Sequence, residues 1–183
     1  MNFPALSSTQ VEWIASQVAA YIMEQRQKYA PLATPLTSAE KQRLTAFFPD
    51  PVLDAARIRR LEKDGRVENP VFYKELERWG FPARILPDFR DMAAVTFVDT
   101  IVAHDAMSQR TLFHELVHVV QFRKLGLETF SADYVSGFVS GGGYDGIPLE
   151  RNAYELEARF AADRARPFDV ATEVQSWIES GRF

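Results

Sequence analysis

The 183-residue sequence contains no cysteine. Disulfides, thiolate metal sites and cysteine nucleophiles are therefore excluded. Any metal ion must be held by histidine, aspartate or glutamate. Histidine is scarce as well, with three residues in the chain. Long apolar runs are lacking: nothing approaches the roughly 18 residues of a membrane span. The opening MNFPALSSTQVEW has neither the basic start nor the continuous apolar stretch of a signal peptide. These absences lead to the expectation of a soluble, cytoplasmic protein with no membrane partner. Basic charge is not in excess either. Lys and Arg number 21 against 25 Asp and Glu, a net charge of -4, which argues against nucleic acid as a partner. The densest basic run, Arg57 to Arg66, is interrupted by Glu62 and Asp64 and reads as a solvated strand or loop.

What is present is core-forming material. The chain is 46% hydrophobic and 13% aromatic, enough to bury a real core. Its length fits a single domain over 1–183. Residues 1–90 read as an N-terminal helical part, 91–166 as the core and 167–183 as a C-terminal helix. Val11, Ile14, Val18 and Ile22 recur at helical spacing after SSTQ, which offers a serine or threonine cap. A second helix starts at Thr37 or Ser38, with Glu40 in its first turn and Pro49 as its stop. VLDAARIRRLE fits helix or strand. VFYKELERWG is a short helix ended by Gly80. MAAVTFVDTIVAH is rich in β-branched residues and predicts a bent strand or a tight hairpin around Asp99 and Thr100. A helix capped by Ser108 then runs to Gly126, and another covers Phe130 to Val139. Five of the nine glycines fall between Gly137 and Gly146, so Gly141 to Gly143 is a mobile or tightly turning loop. Pro148 opens a strong helix that Pro167 ends. The expected fold is α+β: several helices on a small, mostly antiparallel sheet.

The chemistry lies in TLFHELVHVVQF, Thr111 to Phe122, where two of the three histidines fall four residues apart. On a helical wheel Phe113, Leu116, Val117 and Val120 form the core stripe. His114 and His118 lie one turn apart on a neighbouring face, so both rings reach one point. Glu115 points elsewhere, at a height from which it can approach water beside that point. His-Glu-x-x-His on a helix is the spacing by which two neutral imidazoles bind zinc while the carboxylate serves as general base. A stable site needs a third protein ligand. A histidine six residues after His118 would supply one, but that position is Lys124. His104 reads as a surface or second-sphere group. The helix after the glycine loop carries Glu150, Glu155 and Glu157. Glu150 lies at the boundary of its apolar stripe and in its first turn. Glu155 points toward solvent, free to pair with Arg151 or Arg159. Glu157 shares the flank of Glu150, two turns further on. Glu150 is the expected ligand and Glu155 its alternative.

HELVHVVQ followed by PLERNAY resembles the zincin metallopeptidases of gluzincin type, and in particular small bacterial domains with a His-Glu-Leu-x-His-x-x-Gln helix and a later Pro-x-Glu-x-x-Ala-Tyr helix. The resemblance covers about Ala93 to Arg166. It implies a zincin-like fold with the His-Glu-x-x-His helix central, a zinc ion held by His114, His118 and Glu150, and peptide hydrolysis. YELEARFA also reads Glu-x-x-Ala, and on that pattern Glu155 is the ligand of a different gluzincin branch. The expected activity is that of a zinc-dependent metallopeptidase acting on a peptide or protein. Glu115 would be its base, and Tyr144 or Tyr154 would steady the oxyanion. The strand before the metal helix would pair with extended substrate. The alternatives are a metal-stabilised accessory or binding domain of a larger bacterial assembly, and a chaperone-like helical interaction protein with an inert motif.

Overall fold

The computed structural model describes residues 4–62, 65–104 and 107–183. Lys63 and Asp64 of the basic run lie outside the described residues. Seven α-helices and four short strands are present among those described. The first helix, α1 (Ser8–Tyr29), is capped by Ser7, whose hydroxyl accepts from the Gln10 amide while the Gln10 side chain accepts from Ser7. Thr37 and Glu40 cap α2 (Ser38–Leu44) in the same reciprocal way. The ambiguous stretch is both things in turn: α3 (Asp50–Ala55), then the strand β2 (Arg57–Arg60). A two-residue strand, β1 (Thr34–Pro35), precedes them. The short helix α4 (Tyr73–Arg78) ends at Gly80, with φ 98°.

The hairpin consists of β3 (Ala94–Phe97) and β4 (Thr100–Ala103). Its turn is Val98 and Asp99, one residue earlier than expected. Val98 sits in the left-handed region at φ 63°. Arg26 of α1 grips Asp99 with two hydrogen bonds of 2.8 and 2.7 Å. The strand order is β1-β2-β4-β3, which leaves β3 on an edge. The sheet is mixed rather than mostly antiparallel. β1 with β2 and β3 with β4 are antiparallel, but the central pairing of β2 with β4 is parallel. A parallel pair needs a long crossover. Residues between β2 and β4, including α4 and β3, supply it. The N-terminal part is thus not purely helical, since it contributes half of the sheet.

The long helix α5 (Gln109–Ser140) is broken at Gly126, whose φ of 78° and ψ of 168° are not helical. Only glycine takes such a conformation without strain. Every residue from Leu112 to Phe122 is buried. On one side, Phe113, Leu116 and Val120 join Phe47, Leu53 and Phe160 in a core cluster. On the other, Phe122 and Phe130 join Ile22, Tyr29, Phe97 and Leu149. The strand β4 serves both clusters by alternation, with Ile101 and Ala103 in the first and Val102 in the second. The helix α6 (Pro148–Ala162) packs along α5, and α7 (Val170–Glu179) closes the first cluster through Val170 and Val174. No helix among the described residues is long and apolar enough to cross a membrane.

Candidate metal centre

His114 and His118 sit one turn apart on α5, and their Nε2 atoms lie 3.1 Å apart. Glu150 reaches them from the first turn of α6. Its Oε2 is 3.4 Å from His114 Nε2 and 3.5 Å from His118 Nε2. All three residues are buried, and their ligand atoms lie within 4.8 Å of one another. The glycines explain how Glu150 gets there. A Cβ on Gly137 would come 2.3 Å from Pro148 Cδ, and one on Gly141 would come 2.6 Å from Gly146 Cα. The loop is therefore closed tightly on itself, and α6 begins directly against the end of α5.

An outer partner decides which ring nitrogen of His118 carries a proton on its far side. Gln121 donates to the Leu149 carbonyl and to Asn152 Oδ1, each at 3.0 Å, so its own Oε1 faces His118. That oxygen lies 2.8 Å from His118 Nδ1, which must then be the donor. His114 Nδ1 faces Glu157 Oε2 at 3.3 Å without the geometry of a hydrogen bond. Arg110 holds Glu157 from behind at 2.8 Å. Both rings therefore turn Nε2 inward, toward the buried Oε2 of Glu150. A tetrahedral zinc ion with bonds of about 2.0–2.1 Å spaces its ligand atoms about 3.3 Å apart. The observed 3.1, 3.4 and 3.5 Å bracket that value. The residues fit a metal ion.

The electrostatics agree. Burial disfavours charge on His118, but the Glu150 carboxylate beside it, with smaller help from Glu115 and the Gln121 hydrogen bond, outweighs burial and raises the imidazole to about 9. Burial likewise opposes charge on Glu150, yet the two imidazoles hold it far below the usual carboxylate range. The centre draws positive charge.

Glu115 is buried and borders two cavities that both reach His114. Its Oε2 accepts from the Thr96 hydroxyl at 2.7 Å, which ties the carboxylate to β3. Tyr144 stands in a short turn before α6 and lines both cavities. Burial, then the nearby Glu150 carboxylate, push its phenol well up, so it keeps its proton. Tyr154 is 51% exposed and lays its ring against His114, with centroids 4.5 Å apart. Glu155 is exposed and lies outside the ligand triangle. The pair suggested for it with Arg159 is not formed, because Arg159 binds Glu173 at 2.6 Å. His104 is half-buried and is not among the three candidate ligands. It accepts from the Val67 amide at 3.2 Å and contacts the Met92 carbonyl, pinning two loops together.

Thr96, Asn152 and Tyr134 were not identified from the sequence. Tyr134 lines the inner cavity, and Glu150 and enclosure together push its phenol up. The signal for Gln121 was its place three residues after His118, inside the same helix. Thr96 needed the register of β3, which no local pattern supplies. Comparison with protein families, with curated proteins and with solved structures finds no match.

Proposed function

We propose that the protein is a zinc-dependent metallopeptidase of zincin type, with His114, His118 and Glu150 as ligands and Glu115 as general base. The reading rests on one observation above the others: two inward-facing imidazole nitrogens and a buried carboxylate oxygen within 3.1–3.5 Å of one another. The donor set, two nitrogens and one oxygen without thiolate, is that of catalytic rather than structural zinc. Zinc, when bound, supplies Lewis-acid polarisation of a carbonyl and acidification of water.

The chain's own residues account for the rest. Glu115 takes a proton from the attacking water and returns it to the leaving amine. Thr96 holds Glu115 in place for both transfers. Tyr144 retains its phenolic proton and donates to the oxygen on which charge develops. Tyr154 packs on His114 and steadies its ring. The edge of β3 that pairs with no other described strand borders both cavities at Ala94, where an extended peptide can add as a further strand.

Two measurements on protein purified without a histidine tag test the proposal. Metal analysis should give one zinc per chain. Glu115→Gln should retain that zinc and lose roughly 10²–10⁴-fold of peptidase activity. A protein that binds zinc but cleaves no peptide, with or without Glu115, would be a metal-stabilised accessory domain instead. A protein that binds no zinc would leave the motif inert.

A further inference from the structure

The third histidine, His104, follows β4 directly and holds the chain that enters β3. Its Nε2 accepts from the Val67 amide at 3.2 Å, so its ring proton sits on Nδ1, which donates to the Met92 carbonyl. Its own backbone amide donates to the Ala93 carbonyl at 3.1 Å. One residue thus holds two successive carbonyls. In a regular strand successive carbonyls point to opposite sides, so the strand pattern stops at Ala93. Met92 and Ala94 line both cavities at the metal centre. Val67 is fully buried in the cluster of Tyr21, Phe97 and Val102. The imidazole therefore ties the entry of β3 to a fixed point of the core.

The same bonds fix what β3 offers along its open edge. Ala94 stands opposite Ala103, and the bond from His104 to Ala93 flanks that pair. Ala94 is thus a non-hydrogen-bonded position of the hairpin, and Thr96, two residues on, is another. Their N–H and C=O groups turn away from β4, toward the edge that pairs with no other described strand. Thr96 also holds the Glu115 carboxylate at 2.7 Å. We propose that His104 is a positioning residue for substrate: by clasping Met92 it fixes the edge of β3, so that Ala94 and Thr96 can pair with an extended peptide backbone. The inference rests on the metallopeptidase reading and adds to it a residue outside the ligand set. Without the clasp the chain at Met92 is free to move into either cavity, and the edge frays from its N-terminal end.

Two substitutions separate the bonds. In His104→Asn the side-chain amide can replace Nδ1 and keep Met92, but it does not reach Val67. In His104→Gln the longer side chain can accept from Val67, but it leaves Met92. Acetohydroxamate and the hydroxamate of N-acetyl-trialanine share a metal-chelating head, and the second adds a peptide backbone with methyl side chains. Both are titrated calorimetrically into zinc-loaded wild type and the two variants, with zinc content checked for each. In wild type the trialanine compound should bind roughly 10–100-fold more tightly, the worth of about two backbone hydrogen bonds. His104→Gln should lose most of that gain and His104→Asn should keep most of it, with acetohydroxamate affinity and zinc content unchanged in both. Three results would overturn the assignment and leave the metal centre standing: equal affinities in wild type, a gain that survives His104→Gln, or a loss that is the same in both variants or extends to acetohydroxamate. Nitrogen-15 NMR of wild type needs no variant and should show the His104 proton on Nδ1. A proton on Nε2 would break the clasp and sink the inference even if His104→Gln does not fold. Failure of acetohydroxamate to bind a zinc-containing protein, or absence of zinc binding, would overturn the metallopeptidase reading and this inference with it.

Discussion

Gln121 is the residue on which the orientation of His118 depends. Its amide is fully used: two donors go to Leu149 O and Asn152 Oδ1, and its oxygen takes the His118 Nδ1 proton. The backbone carbonyl of Leu149 cannot donate, so the amide cannot flip without losing bonds, and the imidazole cannot change tautomer without losing the amide. Such outer partners of metal-bound histidines are typically worth 10–100-fold in metal affinity. Gln121→Met keeps the length and removes every one of these bonds. The expected result is zinc binding weakened by roughly that factor in competition with a chelating dye, together with a loss of stability of about 1–3 kcal/mol from the unsatisfied buried groups. Unchanged affinity would mean that Gln121 is a packing residue only. Asp99 makes a different kind of contribution. Burial would raise its carboxyl, but the paired Arg26 bonds outweigh burial and lower it below the ordinary value. A carboxyl depressed in the folded state stabilises the fold above the unfolded pKa and loses that effect as pH falls through the folded one. Both side chains are partly exposed, so the contribution is modest, about 1 kcal/mol or less. Asp99→Asn should therefore lower the melting temperature by a few degrees at most at pH 7 and by less at pH 3. An equal loss at both would place the effect in the strained Val98 turn instead.

At the scale of elements, the centre is assembled by the close approach of α5 and α6, and the glycines between them make that approach possible. Gly137 has Pro148 so near that any Cβ must push α6 away. Gly137→Ala should move the first turn of α6 and with it Glu150, and zinc affinity should fall while helix content by circular dichroism stays level. If affinity holds, α6 has room that these contacts deny it. This juxtaposition was half legible in the sequence. The helices α1, α5 and α6 follow from their caps, their apolar spacing and Pro148, all local signals. The break at Gly126 was legible as well, because glycine past Arg123 and Lys124 is how helices end. Glu150 could be preferred to Glu155 because one carboxylate lies beside the apolar stripe and the other opposite it. The mixed sheet was not legible. β2 is four residues long and its partner β4 lies about 40 residues later, so the pairing is a property of the whole chain. The hold of Thr96 on Glu115 depends on the same non-local register, as does the reach of Glu157 to His114.

For the molecule as a whole, the centre is a cost that bound metal would offset. Glu115, Glu150, Glu157, His114 and His118 are all buried within the same core that Phe113 and Leu149 fill. Buried carboxylates and imidazoles destabilise a fold unless they are paired, and removing one partner from such a cluster exposes the cost of the rest. Arg110 and Thr96 each relieve one carboxylate, and Glu150 has the two imidazoles and the Tyr144 hydroxyl. A dication coordinated at the triangle binds the native state alone, because α5 and α6 bring the ligands together only on folding. At a free zinc concentration about 1,000 times the dissociation constant, the linked stabilisation is about 4 kcal/mol. For a chain of this size that corresponds to a rise in melting temperature of roughly 8–16 °C. Scanning calorimetry with zinc and after exhaustive chelation should register that difference. Glu115→Gln should keep it, since Glu115 is placed as a base and not as a ligand. His118→Ala should abolish it. In Glu150→Ala the shift should shrink strongly, and the metal-free protein should be weaker than wild type, because the carboxylate that pairs with the buried His118 imidazole has gone with the ligand. A zinc-induced shift of the same size in Glu150→Ala would move the third ligand to another carboxylate.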